Sequence, residues 1–160
     1  MQYNNNFRIC FLNLPLFQIS LIFEKNNNMN PSSDIGKLLL RISIGGLMLF
    51  HGINKLGGID FICGQFTKIG LPSFLGYLVY VGEIIAPLML LIGFRARIGG
   101  LLISATMLVA VLLAHSGDIF KLGSHGESAI ELQLMYFLGG LAIYFLGGGS
   151  LAASRRNRWD

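Results

Sequence analysis

The feature that most constrains this chain is the stretch 38–56, LLLRISIGGLMLFHGINKL, an apolar run that closes on two ionisable residues, His51 and Lys55. Four residues apart, they share one face of a helix. The run is too apolar for a water-facing surface and too long for an ordinary buried helix. Placed in a bilayer, a His and a Lys at its end are costly unless they have partners. The functional reading therefore turns on which other residues supply those partners.

Composition supports the bilayer. Hydrophobic residues make up 53% of the 160 and charged residues only 12%, about half the charged share of an average soluble domain. The lipid bilayer is thus the first expected partner. The net charge of +4 is modest, and no basic cluster is interleaved with aromatics, so nucleic acid is not an expected partner. Two cysteines, Cys10 and Cys63, without a C-x-x-C pair support neither a disulfide framework nor a zinc site. They also argue against a dithiol oxidase, which needs a close cysteine pair. No metal is expected.

Residues 1–28 differ from the rest: asparagine runs at 4–6 and 26–28 flank a short apolar segment, 9–23, broken by Asn13, Pro15, Gln18 and Ser20. A signal-like segment, a fifth span and an upstream extension compete, and we favour an extension with Met29 as the start of translation. From there Asn30-Pro31-Ser32-Ser33-Asp34 reads as turn and cap chemistry ahead of a helix. The expected organisation is an N-terminal extension at 1–28, a four-helix transmembrane domain at 29–152 and a basic cytoplasmic tail at 153–160.

Four apolar segments follow, at about 35–52, 71–94, 98–114 and 130–146. Each is near the length a helix needs to cross ~30 Å of hydrocarbon, the last two at the short end. Only residues 94–97 separate the second from the third, which makes those two antiparallel neighbours. The expected fold class is an all-α integral membrane bundle of four transmembrane helices with both termini cytoplasmic. The orientation rests on Lys and Arg placement: Lys37, Arg41, Arg95, Arg97, Arg155, Arg156 and Arg158 fall on one side, against Lys55, Lys68 and Lys121 on the other. Small-xxx-small pairs at Gly82/Ala86 and Gly100/Ser104, with Gly45–Gly46 and Gly139–Gly140, mark close helix contacts.

Glu83 is the most informative single residue. Near the middle of the second span a carboxylate costs about 2.5–3.5 kcal/mol on insertion scales, so it should face the bundle interior, neutral or paired. Pro87 follows four residues on and has no N–H to give the Glu83 carbonyl, so a kink belongs there. His51, Lys55, His115 and Glu131 all fall at the extracytoplasmic ends of their helices and form an expected outer polar ring. Glu83 lies below it as a floor, about 18 Å from the outer end of its span, and direct contact with every ring member is not expected. The plainer readings are an interfacial His, a Lys reaching the headgroups and a Glu in a first helical turn. Axial haem ligation by His51 and His115 is disfavoured. Arg155–Arg158 reads as a topology anchor, and the glycines at 147–149 are no phosphate loop.

These residues resemble the DoxX family of small bacterial membrane proteins. The resemblance covers about 37–150 and rests on ordered pieces: LLLRISIGGLMLFHGINKLGG, Gly70-Leu71-Pro72, Glu83, LLIGFRAR, ATMLVAVLLAH, Glu131 and the closing glycines with Ser150. The His51-Gly-x-x-Lys55-Leu56 piece is the most specific. The end departs from the family pattern, since Leu151 runs into Ala152, and the Asn-rich start lies outside it. The resemblance implies a four-helix protein of the bacterial inner membrane. Some relatives look like subunits of a thiosulfate:quinone oxidoreductase and others are linked to oxidative-stress complexes. Three functions follow as expectations: a redox-associated subunit that binds a quinone through His51, Lys55, Glu83 and His115, a module that docks on a membrane or soluble partner protein, and an oligomeric proton or solute pathway through Glu83.

Overall fold

The computed structural model describes residues 31–122, 126–155 and 159–160. The expectations for 1–28, Met29, Asn30 and Cys10, and those for His125, Arg156 and Arg158, lie outside the described residues. Helix α1 runs Pro31–Lys55 and a short α2 runs Asp60–Lys68; a 3-10 segment, Ser73–Leu78, and a π-turn, Val81–Ile85, lead into α3 at Ala86–Ile92. Helix α4 is Ala96–Ala114 and α5 is Glu131–Leu146. Among the described residues there is no strand, only one isolated bridge between Leu122 and Ser128.

Three of these helical stretches, Pro31–Lys55, Ser73–Ile92 and Ala96–Ala114, are long and apolar enough to cross a membrane, and Glu131–Leu146 is a shorter apolar helix. The outer faces fit lipid. Leu39, Leu47 and Phe50 on α1 and Met135, Leu138 and Phe145 on α5 are all exposed, which in water would be a large aggregation liability.

Inside, a small core of Met48, Ala86, Leu90, Ile103, Met107, Tyr136 and Ile143 joins the helices. Lipid tails are as apolar as these side chains, so close backbone approach and interhelical hydrogen bonds carry much of the packing. Helices α4 and α5 meet where a Cβ on Gly100 would lie 2.5 Å from the Gly140 carbonyl. The Ser104 hydroxyl lies there too, 2.8 Å from the Phe137 carbonyl oxygen.

The second apolar segment is not one regular helix. Pro87 cannot donate to the Glu83 carbonyl, and its ring would press on it. The chain accommodates both by widening into the π-turn at Val81–Ile85 just before the proline, a form often found at functional sites. The freed Glu83 carbonyl then packs against α1, where a Cβ on Gly52 would overlap it. Glycine is therefore needed at 52.

The opposite end of the bundle is closed by a buried guanidinium. Arg41 is 1% exposed. Its Nε donates to the Leu90 carbonyl and its Nη1 to the Gly148 carbonyl, both at 2.8 Å. These acceptors lie at or just past helix C-termini, where carbonyls lack helical partners and a cation suits the dipole. Arg97 does the same for α5, donating to the Tyr144 carbonyl at 2.8 Å. The Asp34 carboxylate accepts from the Ser150 amide at 3.2 Å. The last residues also fold back here, with Ser154 N–H donating to the Gly93 carbonyl at 3.1 Å.

Candidate functional site: a polar-footed cavity

A cavity of about 600 Å³ opens between α1, α2, the 3-10 and π segments, α4 and the start of α5. Its wall is mostly apolar, with Met48, Phe61, Phe66, Leu78, Leu102 and Met107 among the lining residues. Its polar members are few: His51, Lys55, Glu83, Thr106, His115 and Tyr136, with Gln65 and Gln133 toward the rim.

Glu83 anchors the polar foot. Its side chain is 2% exposed, and Oε1 accepts a hydrogen bond from Lys55 Nζ at 2.5 Å. Its other oxygen, Oε2, is buried with no hydrogen-bond partner among the described residues. The backbone of Lys55 is fixed by the same segment: the Tyr80 hydroxyl donates to the Lys55 carbonyl at 3.1 Å. Residues 80 and 83 thus hold the last residue of α1 at both its main chain and its side chain.

The ion pair is shorter in reach than the sequence suggests. Counting along one continuous helix from residue 71 puts Glu83 far below Lys55. In the structure Glu83 is level with Gly52, one helical turn before Lys55. Residues 56–80, which include α2 and the 3-10 segment, lie between the two partners in the chain.

The remaining ring residues differ in placement. His51 lines the cavity and sits edge-on to Tyr136, ring centroids 5.7 Å apart at 84°. His115 also lines it, and its Nδ1 lies 3.5 Å from Asp118 Oδ2. The Asp118 carboxylate also accepts from Lys121 Nζ at 2.8 Å. That hydrogen bond, ahead of the Lys121 charge and His115, holds its carboxyl below the usual carboxylate range. Glu131 stands in the first turn of α5 and is not among the lining residues. The structure thus brings His51, Lys55, Glu83 and His115 to one cavity and leaves Glu131 outside its wall.

Tyr136 was missed by sequence reasoning. It is 5% exposed and within electrostatic reach of Glu83. A lone polar-tipped aromatic in the apolar run ELQLMYFLGG was the available signal, since a buried Tyr normally seeks a partner for its hydroxyl. Arg41 was read as a topology charge only. Its position four residues into the apolar run, rather than before it, was the clue to burial. Among the described residues no group of three or more His, Cys, Asp or Glu could hold a metal ion.

The DoxX family model matches residues 36–116 of this chain. The chain belongs to the DoxX family. The match takes in α1, α2, the π-turn with Glu83, and α4 as far as His115. A curated relative, "Putative oxidoreductase CatD" of Bacillus subtilis (strain 168), is 37% identical over 84 residues. That alignment covers 52% of this chain and 63% of the relative, so the chain spans less than two thirds of the relative's length. No solved structure matches the chain at a significant level. With several apolar helices and an apolar exterior, this DoxX protein is a multi-pass membrane protein.

Proposed function

We infer that this DoxX protein is a redox-associated subunit of a bacterial inner membrane that binds a quinone in the polar-footed cavity. The observation that carries the reading is the pairing of a mostly apolar cavity of about 600 Å³ with an ion pair, Lys55–Glu83, at its wall. Small-molecule sites combine apolar walls with a few placed polar groups in this size range. The name of the curated relative supports a redox setting.

The residues present fit a quinone. The apolar lining suits the ring and its tail, and the Lys55 ammonium and the Tyr136 hydroxyl are donors on the wall for its acceptor oxygens. When bound, such a group accepts two electrons and two protons. The Lys55 ammonium, with three donors and one spent on Glu83, can direct another to a ring oxygen. His51 and Tyr136 can position that oxygen, and Phe61 and Phe66 of α2 add apolar wall.

In this reading residues 29–152 form one domain of four spans with both termini cytoplasmic, Glu131–Leu146 being the fourth. The ends of α1 and α4, which carry Lys55 and His115, then face outward and the Arg41–Arg97 end faces the cytoplasm. A membrane or soluble redox protein is the expected partner. The test is mass spectrometry of the protein extracted gently from its native membrane with lipids and partners retained. A co-purifying quinone that is absent from His51→Ala and Glu83→Ala preparations supports the reading. A preparation without quinone, whose thermal stability is unmoved by added quinone, refutes it.

A further inference from the structure

A second hollow lies on the outside of the bundle, toward its Arg41–Arg97 end. It is an apolar groove of about 340 Å³ lined by Ile85, Leu88, Met89, Ile92, Phe94 and Ala153. The first four follow helical spacing and form one stripe along α3. Ile85, Leu88, Ile92 and Phe94 are all exposed, so the stripe faces lipid rather than another helix. The groove closes at the short turn between α3 and α4. Two spanning segments joined by so short a turn place it at the membrane–water interface.

Most cations at this end are already committed. Arg41 and Arg97 donate to main-chain carbonyls, and Lys37 Nζ lies 3.5 Å from Asp34 Oδ1. Arg95 and Arg155 form no ion pair among the described residues, and both flank the groove. The Arg95 guanidinium lies over the ring of Phe94, 5.7 Å from its centroid, and that ring is groove wall. Arg155 comes two residues after Ala153, the opposite lip. Its Nε donates to the Ala152 carbonyl at 3.2 Å, which leaves both Nη groups for another acceptor.

An apolar stripe that ends beside two unpaired guanidiniums has the chemistry of a lipid's counterpart. An acyl chain can lie along α3, and a guanidinium fork suits phosphate oxygens. A zwitterionic headgroup brings its own cation to the arginines and forfeits part of that attraction. A second copy of this chain suits the groove less well, because a two-fold contact sets a patch against itself and would bring like charges together.

We propose that this groove is a seat for an anionic phospholipid, with an acyl chain against Leu88 and Ile92 and its phosphate held by Arg95 and Arg155. The proposal is independent of the quinone reading, since the groove and the polar-footed cavity share no lining residue. Each Lys or Arg near an anionic lipid surface corresponds to about fivefold in affinity, so the pair should favour an anionic lipid by about 25-fold.

The experiment titrates a phosphatidylglycerol and a phosphatidylcholine of identical acyl chains into the full chain in a neutral detergent. Bound lipid is read by native mass spectrometry. The expected result is that phosphatidylglycerol binds about 25-fold tighter, and that Arg95→Gln/Arg155→Gln brings the two toward parity. Lys68→Gln/Lys121→Gln removes the same charge from the opposite end and should keep the preference. Ala153→Phe, which fills the groove, should weaken phosphatidylglycerol, and free glycerol phosphate should not displace it. Equal binding of the two lipids overturns the proposal. So does a preference lost equally in the opposite-end variant, because net charge alone then explains it. Undiminished binding in Ala153→Phe, or displacement by glycerol phosphate, removes the groove from the account and overturns it too. A dimer that excludes both lipids overturns it in favour of a second copy. Neither arginine is buried, so their double variant tests binding rather than folding, and the comparison on the unmodified chain stands without it.

Discussion

Removing the cation from the Lys55–Glu83 pair isolates what the buried carboxylate costs this fold. Lys55→Met keeps an unbranched apolar stem of similar length and deletes the ammonium. Both Glu83 oxygens would then be buried without a donor among the described residues, since there Oε1 accepts from Lys55 and Oε2 has no donor. Removing one partner of a fully buried pair costs about 3–5 kcal/mol. The Lys55 side chain is 33% exposed against 2% for Glu83, so water screens part of the loss, and about 2–3 kcal/mol is expected. Glu83→Met deletes the carboxylate and leaves the part-exposed Lys55 ammonium free to turn toward water, and should cost about 1 kcal/mol. The double variant Lys55→Met/Glu83→Met removes the charge altogether and should lie within about 1 kcal/mol of the parent. Reversible unfolding of each in mixed micelles closes the cycle with a coupling near 2 kcal/mol. A Lys55→Met cost below about 0.5 kcal/mol, or a double variant as unstable as Lys55→Met, refutes the reasoning.

Three further outcomes are expected. Gly52→Ala sets a methyl on the Glu83 carbonyl, a backbone atom that cannot rotate away, so it should lose about 3 kcal/mol or fail to fold; Gly46→Ala, with open space around it, should change the unfolding midpoint little. Arg41→Met deletes the donors to the Leu90 and Gly148 carbonyls and should cost about 2–4 kcal/mol, read as loss of hydrogen-exchange protection at residues 147–150 first. The Asp118 carboxyl is held below its usual range by Lys121 and His115. Its contribution to loop order is therefore complete above the ordinary carboxylate range and lost as pH falls through the lowered folded value. Amide protection factors at residues 116–122, corrected for the intrinsic pH dependence of exchange, should fall in acid, and Asp118→Asn should abolish that fall.

Much of the helical layout was legible because each apolar run is long and bounded by glycine, proline or charge. The Glu83–Pro87 pairing also read directly, since a missing N–H and a buried carboxyl are properties of residue type. What the sequence hid was depth. Treating 71–94 as one ideal helix spreads its residues evenly along an axis, but the 3-10 segment, the π-turn and α2 redistribute that length. The level at which α1 ends against the second segment is set by packing of Gly52 on a main-chain carbonyl, which no periodicity encodes. Tyr136 and Arg41 were obscured for a related reason. An amphipathic side chain in an apolar run reads alike whether it turns to lipid or to the interior.

Arg41 also sets a schedule for synthesis. Its guanidinium enters the membrane with the first helix, yet one acceptor, the Gly148 carbonyl, lies 107 residues later in the chain. Ribosomes add about 5–20 residues per second, so the nascent chain waits roughly 2–10 s for the Leu90 carbonyl and roughly 5–20 s for the Gly148 carbonyl. Arrival of the chain past the last helix completes the set of acceptors, so the first helix reaches its final state only when the last is in place. A product truncated before Gly148 would keep the Leu90 acceptor and lack the Gly148 one.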